Sequence, residues 1–424
     1  MGIVLLAVLA VLAAGCTNSP KQEKFPGIVR PSQNGSKLYF RAKAQYAVVR
    51  SLDPHGPTLA KAMDSVLGDL DGTVANDPRC PLFFGKRGEM FLELGPDGYA
   101  RAEQDLKKAL ELTEDWVPAW IALADLEARR GDAQRAAKWL DGADKSIQII
   151  EDREHQKPTP PFRILGLEIG GEPPKDPNDP ALEETQRRQL MFTWLQESEQ
   201  WTIDSPSLLM PAVSSASPGA SGSSGVTVNQ SNLIRRFRAR VDFEKIVIRL
   251  RSGAKPADVL PSFDRVFQWD PDLFPARIEK AVQLRAAGDY RQAERLLRPY
   301  IDAGDPKLAN NARLLYEMGS IYTDWYINDP KSPDSQQISR LAEQAFTRLH
   351  QVNPEHGPGW IERARLYATA GERGRKPTTL KDANQWLDNA RQSQGLTQDS
   401  DEIRAVREQI DRAQKALQTS GGAG

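Results

Sequence analysis

Val117-Pro118-Ala119-Trp120-Ile121 opens the most informative segment of this chain, and Gly131-Asp132 closes it after nine intervening residues. The same design occurs twice more, as Phe274-Pro275-Ala276-Arg277-Ile278 before Gly288-Asp289 and as Gly357-Pro358-Gly359-Trp360-Ile361 before Gly371-Glu372. In each copy the separation between the proline and the glycine is the same. A helix-sized pattern with fixed spacing is typical of repeat proteins, whose units bury their apolar faces only by stacking on one another. The segment therefore predicts a stacked array of helices that offers a binding surface.

The composition supports an extended array and gives no sign of a nucleic-acid-binding protein. The chain has 424 residues and a formal net charge of -1, so no global electrostatic attraction to nucleic acid is expected. Hydrophobic residues make up 39% of the chain and charged residues 27%, with 30 prolines. These proportions suit a thin, surface-rich array interrupted by linkers better than one compact globule.

Alignment of the copies points to a known family. Trp120 takes a tryptophan position, Leu123-Ala124 a Leu-Gly position, and Gly131-Asp132 the turn between two helices. The second helix carries a small-large-small stripe of Ala136, Leu140 and Ala143. This pattern resembles the tetratricopeptide repeat (TPR), a helix-turn-helix unit of about 34 residues. The resemblance covers about 78–150 and, with insertions, about 256–396, and it implies an all-α, TPR-like α-solenoid of antiparallel helix pairs.

The prolines and glycines of the copies each suit one place in such a pair. The prolines fit the first turn of a helix, where the missing N–H would be unpaired anyway. The glycines are expected to provide the turn after the first helix, because glycine enters the left-handed region without penalty. These glycines are Gly131, Gly288 and Gly371.

The resemblance also implies a protein-binding groove, because the first helices of tetratricopeptide repeats line the concave side. The predicted groove residues are Ile121, Asp125, Arg129, Ile278, Val282, Arg285, Ile361, Arg365 and Thr369. Three arginines along an apolar floor suit an extended or helical partner segment with acidic groups, because Arg binds carboxylates bidentately. The alternative is that the arginines are merely solvated.

The N-terminus predicts export and a lipid anchor. The apolar run from Ile3 to Ala14 is shorter than the roughly 20 residues that span a bilayer, which favours a signal peptide over 1–15. Leu12-Ala13-Ala14-Gly15-Cys16 resembles the lipobox of bacterial lipoproteins, which implies lipidation of Cys16 and a place in the cell envelope. Thr17 after the cysteine resembles lipoproteins sent to the outer membrane, facing the periplasm. The alternative is an ordinary signal peptide with an accidental cysteine.

The second cysteine, Cys80, would be the only other thiol if Cys16 carries lipid, so no intramolecular disulfide is expected. Cys80 is interpreted as a small, partly buried residue beside Pro81. A reactive or intermolecular role is the alternative.

Shifts in composition divide the rest of the chain. After a flexible tether over 16–37, an N-terminal TPR-like block is predicted over 38–154 and a C-terminal block over 233–418, ending in a capping helix. Between them, 155–232 is an irregular linker rich in Pro, Ser and Gly, with one helix near 181–201. That helix either packs on the solenoid or docks a partner. A disordered tail is predicted over 419–424.

No catalytic residue, metal site or cofactor site is predicted. The four histidines form no H-E-x-x-H pattern, and no G-x-S-x-G motif is present. The basic cluster 235–240 is interpreted as the solvated start of a helix, with a contact to anionic lipid or envelope polymer as the alternative. We therefore expect a non-catalytic adaptor for protein–protein interactions in an envelope assembly, with no nucleic acid partner. The alternatives are an enzyme or glycan-binding protein that uses 155–232, and a structural bridge between outer membrane and cell wall.

Overall fold

The computed structural model describes residues 31–49, 57–156, 162–164, 167–169, 230–302, 309–393 and 399–421. The predicted signal peptide, Cys16 and the helix near 181–201 lie outside these residues, as does most of the predicted linker. Within the described residues the chain is helical except for one short hairpin. Its strands are β1 (Phe162–Ile164) and β2 (Leu167–Ile169), paired antiparallel with Phe162 opposite Ile169.

The described helices fall into two groups along the chain. The first group is α1 (Gln33–Val49), α2 (Pro57–Asn76), α3 (Pro81–Glu93), α4 (Tyr99–Leu112), α5 (Val117–Arg129) and α6 (Ala133–Gln156), with a 3₁₀ turn at Gly95–Gly98. The second group is α7 (Gln230–Arg251), α8 (Pro256–Val259), α9 (Ser262–Trp269), α10 (Phe274–Ala286), α11 (Tyr290–Asp302), α12 (Ala312–Asn328), α13 (Ser335–Val352), α14 (Gly357–Gly374), α15 (Pro377–Ser393) and α16 (Asp401–Gly421).

These helices pack in pairs, and the pairs stack. In the described parts of the chain the pairs are α1/α2, α3/α4, α5/α6, α7/α9, α10/α11, α12/α13 and α14/α15, with α16 against the last pair. The second helix of each pair also contacts the first helix of the next pair. First helices touch one another along the stack, as in the series α10, α12, α14 and α16. The result is the all-α solenoid of antiparallel helix pairs that the sequence predicts.

Some element boundaries differ from the prediction. The tether was expected to reach residue 37, whereas α1 begins at Gln33 because Ser32 caps it: Ser32 Oγ accepts a hydrogen bond from Gly35 N at 3.0 Å. Ser32 N in turn donates to Asp77 Oδ1 at 2.9 Å, which joins the start of α1 to the end of α2. At the C-terminus, α16 extends to Gly421, three residues into the predicted disordered tail.

Small residues in the first helices let the two helices of a pair approach closely. A Cβ atom on Gly88 would lie 2.8 Å from Leu106 Cγ, and one on Gly319 would lie 2.6 Å from Phe346 Cε1. The same helical position in other copies holds alanine, with Ala124 and Ala364 fully buried. Close approach of this kind gives the dense packing that protein interiors require. The small-residue signal in the sequence is therefore a packing signal.

One side chain in each of three copies secures the turn before its helix. Trp120 Nε1 donates to the carbonyl oxygen of Glu114 at 2.9 Å, and Trp360 Nε1 donates to that of Pro354 at 2.9 Å. Arg277 stands at the same position and donates through Nε to the carbonyl oxygen of Pro271, also at 2.9 Å. Arginine and tryptophan are thus exchangeable here, because each offers an N–H donor at the end of an apolar stem.

The turn glycines behave as predicted in two copies and differently in the third. Gly131 and Gly288 have φ angles of 84° and 82°, which confirms the left-handed turn. Gly371 lies inside α14, which continues to Gly374, and Arg375 takes the positive φ instead. The prediction of a turn at Gly371 was therefore wrong. A Cβ atom there would lie 2.7 Å from Leu380 Cδ2, so glycine is needed for close packing against α15.

Gly131→Ala is expected to lower the free energy of unfolding by about 1 kcal/mol or more, because alanine resists the left-handed backbone. Urea unfolding of the full chain measures the change. Gly68→Ala is the matched control, since Gly68 lies within α2 with open space at its Cβ position. Alanine there should add about 0.5–1 kcal/mol through helix propensity. Stabilisation by both substitutions would contradict the assigned turn.

The core of the first pairs extends into α7. Phe237, Val241 and Ile248 of this helix belong to the same hydrophobic cluster as the side chains of α3 to α6. Lys245 Nζ lies 2.7 Å from Asp144 Oδ2, which adds an ion pair between α7 and α6. The sequence placed α7 at the start of the C-terminal block, whereas in the structure it also covers the last pair of the N-terminal block. The described helices on either side of the predicted linker are therefore in direct contact.

The basic cluster 235–240 is part of this packing. Phe237 is fully buried, and Arg238 forms an ion pair with Glu151 of α6. Arg236 Nε lies 3.5 Å from Asp270 Oδ2, and Arg240 Nε lies 3.5 Å from Glu244 Oε1. The prediction of a solvated helix start was wrong for these three arginines, because carboxylates of the fold itself surround them.

Candidate protein-binding surface

The first helices of the pairs form one face of the solenoid, here called the inner face. The nine predicted groove residues lie on α5, α10 and α14, which are all first helices. Ile121, Ile278 and Ile361 are only 4%, 4% and 6% exposed, so they belong to the cores beneath the face. Thr369 is also buried, whereas Val282 is half-buried. The accessible part of the predicted groove is therefore charged rather than apolar.

Arg129 and Asp125 form the centre of a charge cluster at the N-terminal part of the inner face. Arg129 Nε lies 2.9 Å from Asp125 Oδ2, and its Nη2 lies 3.6 Å from Glu93 Oε1 of α3. Asp125 also pairs with Arg251 of α7. Glu244 of α7 completes the group, and burial raises the pKa of its carboxyl while Arg240 opposes that shift. We call Glu93, Asp125, Arg129, Glu244 and Arg251 the N-terminal charge cluster.

Asp324 forms the centre of a second charge cluster, which joins α10, α12 and α14. Its carboxylate pairs with Arg365 and lies 3.5 Å from Arg285 Nε. Arg285 Nη1 lies 3.6 Å from Glu317 Oε2, and Arg365 Nη2 lies 2.8 Å from Glu362 Oε2. Burial raises the pKa of Glu362, and Arg365 opposes the shift. We call these five residues the C-terminal charge cluster.

The arginines that were predicted to bind acidic groups of a partner thus already have acidic neighbours within the chain. The side chains of Arg129, Arg285 and Arg365 remain 28%, 22% and 32% exposed, so each can still be reached from solvent. A partner carboxylate would have to share or displace the internal one. The inner face therefore presents positive and negative charges held in fixed positions. It does not present a row of solvated arginines.

Sequence reasoning missed the contribution of α12, which supplies Glu317 and Asp324. This helix lacks the proline that marks the other copies. The pair Met318-Gly319 was aligned with the first helix of a repeat, and that alignment places Asp324 at the position of Arg129. Carrying the groove positions onto this fourth copy would have revealed the carboxylate between the two arginines.

An aromatic stack lies beside the C-terminal cluster, between α13, α14 and α15. His350 is parallel to Trp360 with ring centroids 3.3 Å apart, and Trp360 stacks on Trp386 at 5.2 Å. The guanidinium of Arg363 lies 4.0 Å from the ring centroid of Trp386. Burial lowers the pKa of His350 to about 3, so its ring is neutral near pH 7. Aromatic and cation–π contacts of this kind stabilise the packing of the last two pairs.

The described residues contain no sign of a metal site, a membrane-spanning helix or a reactive cysteine. No group of three or more His, Cys, Asp or Glu side chains there could hold a metal ion. None of the helices in that part of the chain is both long and apolar enough to cross a membrane. Cys80 is buried, and burial raises the pKa of its thiol to about 12, as expected for an unreactive packing residue.

Comparison with known proteins gives weak structural likenesses and no match in sequence. No protein-family model matches the chain, and no curated protein is similar to it in sequence. The TPR domain of P58(IPK) is 14% identical, with a TM-score of 0.22, and the match covers 91% of this chain and 99% of that one. Yeast Tom70 is 11% identical, with a TM-score of 0.21 and 93% of each chain covered. The assignment therefore depends on the helix pairs themselves. The fold is a TPR-like α-solenoid.

Proposed function

We propose that this protein is a non-catalytic adaptor that binds another protein along the inner face of its TPR-like α-solenoid. The observation that supports this most directly is the pair of charge clusters on successive first helices. Each cluster joins three helices and keeps its arginines accessible to solvent. Charges held in fixed positions give specificity for a partner with complementary charges, because wrongly placed like charges are costly.

The cellular setting is a second part of the proposal. The apolar run before Cys16 and its lipobox-like ending support export and a lipid anchor. Such an anchor would hold the adaptor at a membrane of a bacterial envelope. The proposed place is the outer membrane, with the protein facing the periplasm. Envelope assemblies for secretion, pili, outer-membrane proteins or cell-wall synthesis need scaffolds of this kind. Metabolic labelling with a fatty-acid analogue tests the anchor: wild-type protein should be labelled and Cys16→Ser should not.

The adaptor role predicts that neutralising the C-terminal charge cluster weakens partner binding at least about tenfold, because specific charge contacts across an interface would be lost. The variant replaces all five residues of the cluster, as Arg285→Gln, Glu317→Gln, Asp324→Asn, Glu362→Gln and Arg365→Gln, so both signs are removed together and no carboxylate of the cluster loses its arginine. The partner is first captured with a photo-crosslinking residue at Ala286, which is exposed on α10. Its affinity is then measured for wild type and variant by titration.

The matched control is Glu294→Gln with Arg298→Gln, which removes an ion pair of 2.6 Å from the second helix of the same repeat. This control should leave the affinity unchanged. A crosslinker at Arg295, which is exposed on α11, should capture much less partner. Equal loss of affinity in both variants, or equal capture from both helices, would sink the inner-face assignment. Loss of a measurable turnover on deletion of 205–232 would favour the enzyme alternative.

A further inference from the structure

Residues 24–52 contain six basic residues and no acidic residue, although the whole chain has 56 basic and 57 acidic residues. The stretch therefore has a local net charge of +6 in a nearly neutral chain. Helix α1 lies within it and supplies Lys37, Arg41 and Lys43. This helix is the first described element of the solenoid.

The outer side of α1 combines positive charge with an exposed aromatic ring. Lys37, Phe40 and Arg41 are exposed, and Phe40 is 58% exposed, the highest value for a large hydrophobic residue among those that the structure describes. Lys43 Nζ lies 6.0 Å from the centroid of the Phe40 ring. The opposite side of the helix, with Tyr39 and Tyr46, is buried in the first core. An exposed aromatic side chain beside basic side chains is typical of helices that lie at a membrane interface.

Three acidic residues near α1 each have a partner. Asp69 pairs with Arg41, whose side chain nevertheless remains 61% exposed. Asp71 Oδ1 lies 2.9 Å from Arg87 Nη1 of α3, and Asp77 accepts hydrogen bonds from Ser32. Asp69 offsets the charge of Arg41, whereas none of these contacts involves Lys37. The outer side of α1 therefore keeps an excess of positive charge.

We propose that α1 docks on an anionic phospholipid surface, with Phe40 inserted among the headgroups and Lys37 and Arg41 beside the phosphates. Charge complementarity favours this occupant, because each basic residue near an anionic membrane contributes attraction. Chain length agrees: Gln33 lies 17 positions after Cys16, a span of at most about 60 Å, so α1 is the described helix nearest to the predicted anchor. The docking orients the solenoid with its N-terminal end at the membrane. It goes beyond the adaptor role and does not require lipid on Cys16.

The test compares binding of the full chain to vesicles of phosphatidylcholine alone and to vesicles of equimolar phosphatidylcholine and phosphatidylglycerol. Wild type should bind the anionic vesicles more tightly, and added salt should reduce the difference. Lys37→Glu with Phe40→Ser should lower binding to the anionic vesicles about tenfold, because a charge is reversed and the inserted ring is lost. Binding to phosphatidylcholine alone reports any contribution of the apolar N-terminal segment and should change little.

The matched control is Lys381→Glu with Val352→Ser, an exposed lysine and a hydrophobic residue that is 41% exposed, both in the C-terminal pairs. This control should bind both vesicles like wild type, and circular dichroism checks that each variant is folded. An equal loss in both variants, or no preference of the wild type for anionic vesicles, would overturn the proposal. None of these readouts uses the inner-face partner, so the two proposals fail separately.

Discussion

Trp116→Ala should lower the stability of the first helix pairs by about 3–5 kcal/mol, the usual cost of truncating a large buried aromatic residue. Trp116 is the largest side chain with essentially no exposure, and it stands directly before α5. Its ring fills the space beside Gly85, where an added Cβ would lie 3.3 Å from Trp116 Nε1. Truncation would leave a cavity at the junction of α3 and α5, because these two helices are packed too rigidly to move into the space that the ring occupied.

Hydrogen exchange of the full chain measures this effect region by region. Amides of α3 to α6 should lose protection, whereas those of α14 and α15 should keep it, since their side chains belong to a separate hydrophobic cluster. In a solenoid, stability is approximately a sum over units and their nearest-neighbour contacts. Uniform loss of protection along the chain would show instead that the array unfolds as one unit.

Trp116→Phe is the informative control. The Nε1 atom of Trp116 is buried without a hydrogen-bond partner among the described residues, so phenylalanine removes a polar group that contributes nothing there. We expect this change to cost much less than the alanine substitution. A similar loss for both would mean that the indole N–H, and not the volume of the ring, holds this junction together.

The three strongest copies could be predicted because local geometry selects their residues. Pro118 and Pro275 suit a first helical turn, and Gly131 suits a left-handed turn whatever the rest of the chain does. The length of α14 could not be read in the same way, since glycine at 371 suits either a turn or a close helix contact. Only the position of Leu380 on the neighbouring helix decides between them.

The sequence predicted which helices carry the groove residues but not the ion pairs that these residues form. The repeat pattern correctly placed Arg285 and Arg365 on first helices, because it fixes which residues share a face. Extended to α12, it also places Asp324 on that face, but it could not show that Asp324 pairs with Arg365, 41 residues later. Pairing across repeats depends on the rotation between neighbouring helices, which sequence periodicity does not encode. The burial of Ile121 was missed for a related reason. Its position in the repeat gives the face of the helix on which it lies, but not whether longer charged side chains cover it.

Ile410→Asp is expected to release α16 from the end of the solenoid, at a cost of about 4 kcal/mol or more, because it buries an unpaired carboxylate. Ile410 is fully buried with Ile403, Val406 and Ala413 against α14 and α15. The other side of α16 is polar, as a terminal helix must be if it covers the last apolar surface of a repeat array. Limited proteolysis and size-exclusion chromatography measure the release and the self-association that follows it.

Ala405→Asp tests the same helix on its exposed side and should leave α16 in place. The two substitutions introduce the same charge five residues apart, so they change the net charge equally. Replacing alanine costs more helix propensity than replacing isoleucine, so a greater release by Ile410→Asp reports burial. Rapid cleavage of both variants within α16 would mean that the helix is held by its own propensity and not by the core beneath it. Protection of both would show that α16 stays in place with a carboxylate at position 410, which would contradict the packing of Ile410 against Leu387 and Ala390.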